Sequence, residues 1–134
     1  MSADCGDSDQ ARAAYAEQVL ELVQRALECC HGTHTLADVR REIEANRLEL
    51  WVAGEGRAVA VTEFVNYPAG RVLNIFLSAG DHIVMNECLP GLEAYARGKG
   101  CMAVMFYGRA PRRAAWSALL PGYRPAWVCM WKDL

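Results

Sequence analysis

The residues from Ser78 to Asp81 occupy a position where a protein can bind a phosphate group. They follow an apolar run over 72–77, typical of a short buried strand, and they precede an amphipathic helical pattern. The first turn of a helix carries backbone N–H groups without partners, and these can donate hydrogen bonds to an anion. We therefore expect Ser78, Ala79 and Gly80 to contact a phosphate-bearing ligand, although the carboxylate of Asp81 would repel one.

Two polar residues within predicted strands are candidates for catalysis. Glu63 lies between Val61 and Val65 on one strand face, and a carboxylate on a central strand can act as a general base. The alternative is a glutamate that faces solvent at an edge. Asn74 interrupts the apolar run and can orient a ligand carbonyl, whereas the alternative is a hydrogen bond to a neighbouring backbone group.

A small basic cluster follows the apolar run over 102–107. Arg109, together with Arg112 and Arg113, stands at the predicted start of a short helix. Guanidinium groups bind phosphates or acidic protein surfaces, so Arg109 is a candidate cofactor contact. The alternative is a solvated helix face.

The six cysteines show no metal or disulfide pattern. None belongs to a Cys-x-x-Cys pair, and the spacing of Cys29, Cys30, His31 and His34 fits no standard zinc site. The acidic, polar residues 1–10 resemble neither a secretory signal nor a transit peptide. We expect six reduced thiols, no bound metal and a cytoplasmic location.

The elements that position these residues follow from the hydrophobic periodicity. It predicts helices over 9–30 and 36–46, strands over 48–53, 57–66 and 72–77, a helix from about Leu89 to 98, a strand over 102–107, a short helix after Pro111 and a strand over 126–132. Thr35 and Asp38 form an approximate capping box. Pro90 favours the first turn of a helix, which is why the helix is expected to begin late.

These elements predict an α/β (α+β) fold built on one mixed sheet. Hairpin turns over 54–56 and 67–70 join three strands into an antiparallel meander. The strand–helix–strand unit that follows requires a parallel crossover pair, so helices cover both faces. With 134 residues, we expect a single domain over 1–134 in which 1–8 are frayed. The net charge of −2 gives no reason to expect nucleic acid, and no apolar run is long enough to suggest a membrane.

This order of elements resembles the GNAT acyltransferase fold. Two stretches resemble motifs of this family. One is the helix followed by Gly100 before the crossover strand, and the other is Gly122-Tyr123 after the short helix. A closer resemblance, over roughly 34–124, is to small phage-encoded GNAT-like proteins. It rests on His34-Thr35-Leu36-Ala37-Asp38-Val39, Leu50-Trp51, Val61-Thr62-Glu63, Tyr67-Pro68, Val72-Leu73-Asn74-Ile75, Gly80-Asp81, Gly100-Cys101, Gly108-Arg109 and Trp116.

The resemblance implies acetyl-CoA as a substrate, but the sequence departs from the family pattern. GNAT enzymes hold the pyrophosphate with an Arg/Gln-x-x-Gly-x-Gly/Ala loop, in which small residues let backbone N–H groups approach the phosphates. Counting back from Gly100, the glycine positions fall on Asp81, Ile83 and Met85. The usual tyrosine acid falls on Ala118.

Two functional hypotheses remain open. In the first, a phage-type acyl-CoA-dependent N-acyltransferase has a degenerate pyrophosphate loop, and Glu63 or a water accepts the proton of the attacking amine. Its cofactor would contact Ser78, Ala79, Gly80 and Arg109, and Asn74 would orient a ligand carbonyl. In the second, the chain is a non-catalytic, virion-associated or phage assembly protein whose partners are phage structural proteins. It would then act in the host cytoplasm or in the virion.

Overall fold

In the computed structural model, residues 16–107, 120, 122–127 and 129–134 are described. The elements are helices α1 (Ala16–Leu27), α2 (Leu36–Glu44) and α3 (His82–Gly98), and strands β1 (Glu49–Ala53), β2 (Ala58–Tyr67), β3 (Gly70–Gly80) and β4 (Cys101–Phe106). The strands form one sheet in the order β1-β2-β3-β4, with two antiparallel pairings followed by a parallel one. The predicted mixed sheet is confirmed.

Helices cover both faces of this sheet because side chains alternate along each strand. On β2, Val59 packs in a core with α1 and α2, while the preceding residue Ala58 packs against α3. The first core holds the buried residues Val19, Leu22, Val23, Leu27, Val39, Leu48, Leu50, Val52, Val59, Val61 and Leu77. The second, smaller cluster holds Ala53, Ala58, Val84 and Cys88. The apolar faces of the helices therefore meet opposite faces of one sheet.

Helix α2 begins as the sequence predicts. Thr35 is the N-cap, its hydroxyl accepts a hydrogen bond from the N–H of Asp38 at 3.2 Å, and the carboxylate of Asp38 accepts one from the N–H of Thr35 at 2.8 Å. Both hydrogen bonds of a capping box are present. The hydrogen bonds from Thr35 lower the pKa of the Asp38 carboxyl.

A bulge on β3 changes which face its side chains meet. Val61 pairs with Leu77 and Thr62 with Ile75, so Phe76 has no register partner on β2. An extra residue of this kind breaks the alternation of a strand. Phe76 and Leu77 consequently both pack against the α1–α2 core, although they are neighbours in sequence.

The expected late start of the crossover helix is wrong. Helix α3 begins at His82, with Asp81 as its N-cap, and it contains Pro90. A proline inside a helix removes the N–H that would bond the carbonyl four residues earlier. Pro90 is solvent-exposed, so water can replace the missing donor, and the cap at Asp81 stabilises the turns before it.

The predicted last strand over 126–132 is also wrong. None of the described residues 126–127 and 129–132 belongs to a strand, and Trp127, Met130 and Trp131 are exposed. The ring of Trp131 stacks on His31 with a centroid distance of 4.9 Å, a contact that alternation does not predict. Three predictions lie outside the described residues: the frayed residues 1–8, the start of the first helix near residue 9 and the short helix after Pro111.

The thiols differ from the expectation of six reduced cysteines. Cys29, Cys30, Cys101 and Cys129 are free, whereas Cys88 is disulfide-bonded. The prediction is therefore wrong for Cys88. Sequence spacing shows which cysteines are close along the chain, but not which ones the fold brings together.

Candidate functional site

The two parallel strands β3 and β4 are paired over only part of the length of β3. The pairing of β3 with β4 runs from Arg71 to Ile75, and the last register pair is Ile75 with Phe106. Beyond it, residues 77–80 of β3 pair with β2 alone among the described residues. The bulge at Phe76 lies at this same point. Strand β4 itself ends at Phe106, so residues 77–80 of β3 extend past it, and we call the place where the parallel pairing ends the β3–β4 split.

Glu63 and Asn74, both predicted catalytic residues, meet beside this split. They are register partners on β2 and β3, and the Nδ2 of Asn74 donates a hydrogen bond to the Oε1 of Glu63 at 3.0 Å. Asn74 is 3% exposed, and its Oδ1 has no hydrogen-bond partner. Leaving a buried acceptor unpaired costs roughly 1–3 kcal/mol. The pair thus places a half-buried carboxylate next to the last residue at which β3 and β4 are joined.

The N-terminus of α3 is occupied by the side chain of its own cap. The Oδ1 of Asp81 accepts hydrogen bonds from the N–H groups of Ile83 at 2.9 Å and Val84 at 3.3 Å. These are two of the donors that a bound phosphate would use at a helix start. Asp81 therefore opposes a phosphate in two ways, since its charge repels the anion and its oxygen already fills the amides.

The predicted phosphate-contacting residues have different surroundings. Ser78 is exposed, while Ala79 packs against the α1–α2 core. Gly80 has a φ of +109°, and a Cβ there would lie 2.2 Å from the carbonyl oxygen of Arg57. Only glycine fits such an approach, so the close contact with the β1–β2 turn accounts for Gly80 without a ligand. Arg109 lies outside the described residues.

An apolar cavity lies between α3 and the sheet. It has a volume of about 80 Å³ and is partly open to solvent. Residues from every strand line it, including Trp51, Ala60, Ile75 and Phe106, together with Met85 and Leu89 of α3. Ile75 and Phe106 are the last register pair of the parallel strands, so one end of the cavity adjoins the β3–β4 split. Three polar side chains, Ser78, His82 and Asn86, also lie at its wall. A cavity with such a mainly apolar lining can bind apolar groups.

Two tyrosines that received no role from the sequence carry polar contacts in this region. The hydroxyl of Tyr95 donates to the Oε2 of Glu49 at 2.5 Å, and that of Tyr123 donates to the Oε2 of Glu93 at 3.0 Å. Burial, followed by the hydrogen bond to Glu93, raises the pKa of the Tyr123 phenol above its ordinary value. Tyr123 therefore holds its proton firmly. The only sequence signal was Gly122-Tyr123 itself, and it could not reveal the acidic partner on α3.

Within the described part of the chain, no group of three or more His, Cys, Asp or Glu side chains could hold a metal ion. In the same residues, no helix is long and apolar enough to cross a membrane. The site is therefore described by the β3–β4 split, the Glu63–Asn74 pair, the capped start of α3 and the cavity beneath that helix.

No family model matches the sequence, and no curated protein matches it significantly. Solved structures are similar over almost the whole chain. An acetyltransferase from Trypanosoma brucei is 16% identical, with a TM-score of 0.66 over 98% of this chain and 99% of that one. An aminoglycoside N-acetyltransferase in complex with CoA is 14% identical, with a TM-score of 0.70 over 98% and 94%. A GNAT family acetyltransferase from Staphylococcus aureus is 11% identical, with a TM-score of 0.66 over 100% of both chains.

These similarities show the fold. The chain has the GNAT fold, and its structural neighbours are acetyltransferases, one of them bound to CoA. In this chain the fold combines the β3–β4 split with a helix start whose two amides are already filled by Asp81.

Proposed function

We propose that this protein is an acyl-CoA-dependent N-acyltransferase that binds the pyrophosphate of its cofactor weakly. The observation that carries the proposal is the β3–β4 split, the end of the parallel pairing, which lies next to the Glu63–Asn74 pair. A thioester placed in the split would lie between two strands whose backbone is fixed by the sheet. The structural neighbours with acetyltransferase activity in their names support this choice of chemistry.

The reaction follows from the groups near the split. A substrate amine attacks the thioester carbonyl to form the C–N bond, and its nitrogen loses a proton to Glu63. The C–S bond then breaks to release CoA as a thiolate, which takes up the proton that Glu63 holds. Phe76 has no register partner on β2, and a backbone N–H outside the ladder is suited to stabilise the developing oxyanion. Asn74 holds the carboxylate of Glu63 through its Nδ2.

Weak pyrophosphate binding follows from Asp81. The family pattern uses small residues and open amides at the helix start, whereas here the Asp81 carboxylate occupies the N–H groups of Ile83 and Val84. Ser78, Ala79 and Gly80 then provide the nearest backbone for the phosphates. Arg109, which follows β4 in the sequence, is proposed as a counter-charge to the phosphates.

A second candidate function is favoured by the same capped helix start. A GNAT-fold chain that has lost its phosphate contacts can serve as a non-catalytic protein, because function depends on the site and not on the fold. The resemblance in the sequence suggests a phage assembly or virion-associated role for such a chain. The names of the three structural neighbours above give this role no support.

Calorimetric titration with acetyl-CoA tests the proposal. We expect weak binding by the wild type and stronger binding by Asp81→Gly. In the Asp81→Gly background, Ser78→Trp should abolish binding by filling the split, while the matched change Ala103→Trp should not, since Ala103 is exposed on β4 where the strands are paired. If neither the wild type nor Asp81→Gly binds acetyl-CoA, the enzyme proposal is wrong and the non-catalytic function takes its place.

A further inference from the structure

The apolar cavity beneath α3 has a shape that the transfer of an acetyl group does not require. It is lined by Phe106 on β4, Ile75 on β3, Ala60 on β2 and Trp51 on β1, so it crosses the whole sheet. The space exists because Ala60, with Ala53 and Ala58, carries only a methyl group toward α3.

The position of the cavity relative to the split suggests its occupant. Its β4 end is formed by Ile75 and Phe106, the last pair of the parallel strands. A thioester carbonyl held in the split would have its acyl carbons directed to this end. We propose that the cavity binds the hydrocarbon chain of a short acyl group longer than acetyl; this inference rests on the function proposed above.

The volume sets the length of the chain. A dry, apolar cavity of about 150 Å³ binds benzene, which has six carbons. In proportion, about 80 Å³ holds roughly three carbons, which corresponds to the alkyl part of a butyryl group. Each buried methylene strengthens binding by about fourfold. The butyryl group, with two more methylenes than acetyl, should therefore bind about 15-fold more tightly.

The experiment compares acetyl, butyryl and hexanoyl thioesters in two chemical forms. One form is the CoA thioester, and the other is the thioester of N-acetylcysteamine, which lacks the phosphates and does not depend on the start of α3. Binding is measured by calorimetry for the wild type and for two variants of the cavity wall. Ala60→Leu narrows the cavity and should remove the preference for butyryl, while Met85→Ala widens it and should move the preference to hexanoyl.

Controls separate the cavity from general effects. Ala103→Leu adds the same side chain at an exposed site on β4 and should leave the preference unchanged. Thermal unfolding of every variant identifies any that fails to fold. Each of the two wall variants tests the inference by itself, so only one of them needs to remain folded.

The outcomes distinguish this inference from the proposed function. Equal binding of acetyl and butyryl thioesters in both forms would overturn the inference, even if CoA thioesters bind. A butyryl preference among the N-acetylcysteamine thioesters that Ala60→Leu removes would support the cavity, even if no CoA thioester binds and the enzyme proposal fails.

Discussion

Replacing Asp81 should reveal whether the start of α3 can still bind a phosphate. The Asp81→Gly variant removes the carboxylate that now accepts from the N–H groups of Ile83 and Val84. A hydrogen bond to a charged group contributes roughly 1.5–3 kcal/mol, so even one freed amide should strengthen CoA binding about tenfold. Removing the negative charge adds about 1 kcal/mol for an exposed pair at 4 Å, or about fivefold. We expect a gain of about 50-fold in total.

The matched variant Asp81→Asn separates the two effects. Asparagine caps a helix about as well as aspartate, so the amides stay filled while the charge is lost, and the expected gain is only about fivefold. Glu44→Gln, which removes the same charge from an exposed residue at the end of α2, should leave CoA binding unchanged. Thermal unfolding should show small losses, since glycine at an N-cap costs only a few tenths of a kcal/mol.

The assay is calorimetric titration with CoA at one fixed, low salt concentration, because exposed charges are screened at high salt. Equal gains in Asp81→Gly and Asp81→Asn would mean that charge alone excludes the phosphate, and the argument from occupied amides would be refuted. No gain in either variant would show that the start of α3 is not a phosphate site.

Three further predictions concern residues around this site. Gly80→Ala should destabilise the protein by more than about 2 kcal/mol in urea unfolding, because its Cβ would lie 2.2 Å from the Arg57 carbonyl oxygen, whereas Gly98→Ala, with nothing within 4 Å, should be neutral or slightly stabilising. Glu63→Ala should cost roughly 1–3 kcal/mol because it leaves the Nδ2 of Asn74 unpaired, while Glu63→Gln should keep that bond yet lower any acyl transfer at least 100-fold; unimpaired turnover would exclude Glu63 as the base. Thiol labelling of the denatured, unreduced protein should modify Cys29, Cys30, Cys101 and Cys129 but not Cys88, and labelling of Cys88 would contradict its disulfide.

Local rules predicted most of the sheet. Alternation over 48–53 and 57–66, with glycines between them, was sufficient to place β1 and β2 as a hairpin, and Thr35 with Asp38 fixed the start of α2. The parallel pairing of β3 with β4 followed from the crossover geometry. These features depend on residues close together in the sequence, so periodicity and capping describe them well.

Features that depend on tertiary contacts were missed. The rule for Pro90 placed the start of the helix near Leu89, but the cap at Asp81 and the exposure of Pro90 allow α3 to begin at His82. Alternation over 126–132 suggested a strand, and its side chains instead remain exposed or stack on His31.

The candidate site, too, has features that the sequence indicated and features that only the tertiary structure reveals. Glu63 and Asn74 were selected by residue type within predicted strands, and only the register of β2 with β3 brings them together. The bulge at Phe76 has no sequence signal, because it appears only when ten residues of β2 are matched against eleven of β3. The cavity likewise depends on side chains from four strands and one helix, which no local pattern could combine.

The cap at Asp81 also affects the rates at which a phosphate ligand would associate with the start of α3 and dissociate from it. The carboxylate is an intramolecular competitor that occupies two amides without ever leaving the molecule. Exposed side chains change rotamer within picoseconds to nanoseconds, far faster than a ligand arrives by diffusion. During each encounter with a phosphate, the Asp81 carboxylate would therefore leave the two N–H groups and return to them many times. The competition should then appear as rapid dissociation of the ligand, with no slow opening step before association.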